Sequence, residues 1–203
     1  MKQKILIWDV PTRVFHWLLV GSFAGAYYNA DSERYRDIHV ILGYILLGLI
    51  AFRLAWGFIG TRYAQFGSFL FKASEVVAYF TSLKDPGTKQ YLGHNPAGSM
   101  AIWLLLTLGV ISGVTGVMVL QDVGGDPVVE WHDWVSEAML VVIVLHVLGV
   151  IISSVMHREN LVRSMVTGYK IGKPEQAIHY AYTWLGVAIL VAAALFWLVY
   201  STK

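Results

Sequence analysis

The chain of 203 residues contains no cysteine. Disulfides, thiolate metal sites and cysteine-ligated iron–sulfur clusters are therefore excluded, and any redox centre must rest on histidine. Charge is scarce too: Asp, Glu, Lys and Arg make up 14% of the residues against 57% hydrophobic ones, and the mean hydropathy is positive. Ordinary soluble domains carry about 25% charged residues, so this composition belongs to a protein embedded in lipid. A net charge of +2 gives no sign of a nucleic-acid partner. There is no internal repeat or low-complexity segment. The opening residues, with Trp8, Asp9 and Pro11, lack the form of a cleavable signal and are read as retained.

What the chain does have is apolar length. Five stretches, 14–30, 38–59, 99–120, 135–156 and 180–200, approach the ~20 residues that a helix needs to cross a bilayer. Strands would leave backbone groups unpaired in hydrocarbon, so all five are expected to be helical. The predicted fold class is all-α: an integral membrane four-helix bundle in residues 1–173, plus a fifth C-terminal transmembrane helix in 174–203. Lys and Arg set its orientation. Lys2, Lys4 and Arg13 lie on the same side as two basic connections, one with Arg62, Lys72, Lys84 and Lys89, the other with Arg158, Arg163, Lys170 and Lys173. The connection 121–130 has neither Lys nor Arg but contains Asp122, Asp126 and Glu130. The positive-inside rule places the N-terminus in the cytoplasm and the C-terminus outside, with Arg34 and Arg36 weakening the bias without reversing it. Within the long connection, residues 69–83 have the spacing of a short amphipathic helix, lying either on the membrane face or packed as a loop helix on the bundle.

Against this apolar background the seven histidines stand out. His132 and His146 are fourteen residues apart, which on one helix means about 40° of rotation and about 21 Å of rise. One helix then presents two imidazoles to the same side at different depths, and each needs a partner inside the bundle. The topology supplies both partners. His16 begins the first span on the inside, level with His146, and His39 begins the second on the outside, level with His132. Haem iron accepts neutral imidazole as an axial ligand, so the matched pairs His16/His146 and His39/His132 are expected to hold two haems. Gly21, Gly25, Gly43 and Gly149 lie near these ligands, where small residues let a macrocycle approach. The third span, with Gly109, Ser112, Gly113 and Gly116, is expected to be a packing helix. His94, in the turn His94-Asn95-Pro96, is expected to cap that span or to contact a propionate. Arg13 and Arg53 are placed to bond haem propionates or a quinone carbonyl, or else to anchor the helices. His157 and His179 fall at membrane surfaces and are not expected to be ligands.

Several motifs in order resemble the bacterial cytochrome b561 family. They are the start Trp8-Asp9-Val10-Pro11-Thr12-Arg13-Val14-Phe15-His16-Trp17, the turn Gly93-His94-Asn95-Pro96, and His157-Arg158-Glu159-Asn160-Leu161 through Met165, Gly168 and Lys170. Within the family the chain is most similar to b-type cytochrome subunits of nickel–iron hydrogenases. The resemblance implies a four-helix bundle with two b haems stacked across the bacterial inner membrane, ligated from the first, second and fourth helices, which carries over onto His16, His39, His132 and His146. It further implies quinone at one end and a periplasmic c-type cytochrome or hydrogenase-like protein at the other. The acidic outer loop is a candidate for steering a basic partner, and the fifth span is a candidate for capping the bundle, contacting a partner or pairing two copies. Iron with both axial positions filled has no open site for oxygen, so electron transfer is the expected use. Two alternatives stay open: a superoxide oxidase that reduces quinone without a partner, and a haem-free proton or metal transporter.

Overall fold

The computed structural model describes residues 1–82 and 90–202, so Lys84, Lys89 and the last residue of the 69–83 segment lie outside the described residues. Helix α1 (Val10–Tyr28) opens at Asp9, whose Oδ1 accepts the Thr12 N–H at 2.7 Å, and Pro11 occupies the first turn, where no N–H is needed. Helix α2 (Arg36–Ile59) grows out of a 3-10 turn at Glu33–Tyr35 and stops at Gly60. A second 3-10 turn, Phe66–Phe69, and the short α3 (Ala73–Ser82) occupy the long connection. Asn95 caps α4 (Pro96–Leu120) by accepting the Gly98 N–H at 2.7 Å. The cap expected of His94 thus falls to its neighbour, whose short amide side chain sets an oxygen at the right reach.

Helix α5 (Asp126–Met156) reaches back into the 121–130 connection, because Gly125 turns the chain at φ 61° and Pro127 lies in its first turn. Its 31 residues measure about 46 Å, longer than the ~30 Å hydrocarbon core. Helix α6 (Leu161–Thr167) is capped by Asn160 and closed by Gly168 at φ 88°, and α7 (Thr183–Ser201) ends the chain. Two strands were not expected. β1 (Gln3–Leu6) pairs antiparallel with β2 (Tyr169–Gly172), Gln3 opposite Gly172 and Leu6 opposite Tyr169. Four residues each carry too little alternation to be recognised as strands in sequence.

Among the described residues, four helices are long and apolar enough to cross a membrane: Glu33–Ile59, Pro96–Leu120, Asp126–Met156 and Thr183–Ser201. Helix α1, with Thr12, Arg13 and His16 in its first half, is not one of them. The main packing pairs are α4 with α5, α1 with α2, α2 with α4, and α7 with both α1 and α2. A core of Phe23, Leu46, Ile50, Phe66, Phe69, Leu106 and Met139 joins α1, α2, α4 and α5. At one end of the bundle the β1–β2 ribbon covers a second cluster of Ile5, Ile7, Trp8, Tyr63 and Ile178. This is the ribbon end; the α1–α2 and α4–α5 turns form the far end.

Candidate haem sites

At the far end His39, in the first turn of α2, donates its Nδ1–H to the Ala26 carbonyl at 2.8 Å. His132, on α5, donates its Nδ1–H to the Ser112 carbonyl on α4 at 3.0 Å. A carbonyl can only accept, so both rings carry the proton on Nδ1 and leave the Nε2 lone pair free, the state in which imidazole binds a metal. Their ring centroids are 6.1 Å apart. Two imidazole–metal bonds of about 2 Å place the centroids about 6 Å apart, so the spacing suits one ion between the two rings. Gly116 makes room: a Cβ there would stand 3.0 Å from His132 Cε1.

At the ribbon end His16 on α1 and His146 on α5 are within electrostatic reach of each other, and His94 is within reach of both. The His94 ring lies between Trp8, at 4.7 Å, and Phe69, at 4.6 Å. Burial, with the Arg53 cation nearby, holds it well below the ordinary histidine pKa and therefore neutral. Arg53 is buried in α2 over the Phe66 ring at 4.8 Å. Arg13 is held differently, with Nη1 donating to the Val166 carbonyl at 2.7 Å. Asp9 is fully buried; beyond its cap bond it accepts from Trp56 Nε1 at 3.2 Å and Thr61 Oγ1 at 2.5 Å. Sequence reasoning missed this residue's role, although Asp ahead of Pro and an apolar run is a helix-start signal.

Each pair joins α5 to a helix other than its main packing partners. Neither α1 nor α2 is among the main packing partners of α5, which are α4 and α6. A Cβ built at Gly21, Gly43 or Gly149 would meet nothing within 4 Å, whereas at Gly109 and Gly113 it would run into Ile50 and Leu47 of α2. The third span is thus the packing helix expected, whereas Gly21 and Gly149 lie on exposed faces of α1 and α5. Among the described residues no three His, Asp or Glu gather as they would for a bare ion. Paired imidazoles suit a group that brings its own equatorial ligands.

The profile of prokaryotic cytochrome b561 matches residues 7–168. The chain belongs to the prokaryotic cytochrome b561 family. Membership implies haem b, electron transfer and a multi-pass helical bundle in the membrane, and α7 lies beyond the matched residues. Similar proteins include a probable Ni/Fe-hydrogenase B-type cytochrome subunit of Rhizobium leguminosarum bv. viciae, 23% identical over 86% of this chain and 92% of that one. A namesake in Rhodobacter capsulatus is 22% identical over 86% and 84%. The probable Ni/Fe-hydrogenase 1 B-type cytochrome subunit of Escherichia coli (strain K12) is 22% identical over 82% and 91%. No solved structure matches the chain.

Proposed function

We propose that this protein is a dihaem cytochrome that carries electrons across the bacterial inner membrane, between a periplasmic hydrogenase-like or c-type redox protein and quinone. His16 and His146 hold one haem b, His39 and His132 the other. Each haem supplies a one-electron iron couple, and the helices fix the two about 21 Å apart along the fourteen residues of α5. His39 and His132 carry this reading: their rings stand 6.1 Å apart with both Nδ1 protons committed to backbone carbonyls. Those bonds orient the rings and keep Nε2 available.

Charge supports the orientation. Arg158, Arg163, Lys170 and Lys173 cluster at the ribbon end, and Asp122, Asp126 and Glu130 at the far end, a bias that supports a cytoplasmic ribbon end. α1 would complete a four-helix core with α2, α4 and α5 as a fifth crossing, while α7 lies outside on α1 and α2. Purified protein is expected to carry two b haems per chain by pyridine haemochromogen, with low-spin visible bands on dithionite reduction. A content of one haem or none overturns the proposal. Superoxide and a quinone added without any protein partner are expected to leave it nearly inert; rapid quinone reduction would favour the self-sufficient enzyme.

A further inference from the structure

Arg53 lies within α2 with 4% of its surface exposed, and its Nη1 has no hydrogen-bond partner among the described residues. The Phe66 ring at 4.8 Å and the Phe69 ring at 5.7 Å steady the guanidinium plane but offer no acceptor oxygen. Asp9 is within electrostatic reach, yet the ion pair among the described residues is Lys170 with Glu159, not Arg53 with Asp9. The Asp9 oxygens are already engaged: Oδ1 accepts from Thr12, and Oδ2 from Trp56 and Thr61. His94 Nδ1 is buried without a partner beside the same Phe69 ring, within reach of Arg53, His16 and His146. A buried cation left without an acid is costly, and a guanidinium fork matches a carboxylate in shape as well as charge.

We propose that Arg53 is the anion anchor of the ribbon-end site, binding a propionate carboxylate of the haem held by His16 and His146, with His94 donating a second hydrogen bond. The inference rests on the haem reading of that pair. It gives Arg53 a positioning role and an electrostatic one. One-electron reduction of the iron adds a negative charge and takes up no proton, so a fixed cation beside it raises the midpoint potential of that haem.

An optical redox titration of the purified dihaem protein tests this. Arg53→Gln is expected to lower one midpoint, that of the haem lost in His146→Ala, and to leave the other in place. Arg53→Lys keeps the charge and is expected to restore most of the shift, which a loss of packing alone would not do. Two retained haems with both midpoints unmoved overturn the inference, and so does a shift confined to the haem that survives His146→Ala. Should the glutamine variant hold neither haem, the lysine variant decides: replacing the planar fork by a point charge is expected to move the propionate bending band in resonance Raman, and an unmoved band overturns the anchor. Wild-type protein without haem overturns the ligand assignment and the anchor together, whereas two wild-type haems with unmoved variants overturn the anchor alone.

Discussion

The two ends of the bundle present paired histidines in opposite surroundings. At the far end the imidazole Nδ1 atoms are satisfied by backbone carbonyls. Its acids stay outside: Asp126, Glu130, Asp133 and Glu137 are exposed and follow the i, i+4, i+7, i+11 spacing of one α5 face. At the ribbon end the charges are inside, with Asp9, Arg53 and Lys170 all buried. Among the described residues the buried side-chain atoms without a partner belong to Thr12, Arg13, His16, Arg53, His94 and Trp103, all toward this end. The far site therefore has its polar bonds complete within the protein, while the ribbon site has donors waiting for an acceptor. Exposed acids suit a soluble partner of positive charge, and buried donors suit an enclosed anionic group.

Deleting one ligand gives the sharpest break between the ends. His146→Ala is expected to remove the ribbon-end haem and spare most of the other, halving the haem per chain, and His132→Ala to do the reverse. Paired spectra of the reduced variants would show each haem's bands separately. Loss of both haems from His94→Ala, with none lost from His146→Ala, would sink the pairing.

Much of this contrast was legible in sequence, for a physical reason. Lipid forces a helix to be apolar along its length, so the histidines of α5 and the acids at its start stand out, and helix geometry converts their spacing into faces and heights. The ribbon end resisted the same treatment. Its β-ribbon joins residues 3–6 to 169–172, a pairing that four-residue strands cannot announce. Asp9, Thr61 and Trp56 meet across turns remote in sequence. Asn95 and His94 are adjacent, and backbone geometry alone decided which of them caps α4. Residues 126–130 look like part of a polar loop yet belong to α5, and Pro127 is the signal for that early start.

Asp9→Ala comes next in size and should act on one end. It removes a helix cap and two further bonds to a buried carboxylate, for which a loss of about 2–4 kcal/mol is expected. Thermal unfolding in detergent measures it, and the far-end haem bands should stay unchanged until the melt. A loss well under that range would mean the carboxylate is dispensable.

Glu159→Gln is expected to cost less, about 1–2 kcal/mol at neutral pH, since Glu159 is partly exposed and Lys170 also donates to the Tyr91 carbonyl. Burial lowers the Lys170 pKa, and Glu159 works against that shift. The folded chain thus binds its proton less readily than the unfolded one, so stability rises with pH between the lowered value and the ordinary lysine value of about 10.4. The variant's deficit should be full at neutral pH and shrink as pH climbs through the lowered Lys170 value, above which the amine is neutral in both folded proteins. A deficit that grows with pH would contradict it.

The smallest expected effect probes the far end. In Gly116→Ala the new Cβ stands 3.0 Å from His132 Cε1 and 3.4 Å from its Nδ1, so the ring must yield by a few tenths of an ångström. Alanine in a helix interior is favoured over glycine by about 1 kcal/mol, which offsets the crowding and should leave the melting temperature nearly unchanged. The displaced ring, however, strains its bond to the Ser112 carbonyl and alters the imidazole that the iron meets. A shift of the far-end haem's midpoint is expected, with the ribbon-end haem and the global stability unmoved. Movement of both midpoints would mean that the ends are coupled through α4 and α5. Movement of neither would mean that His132 does not face the iron from the position held against Gly116.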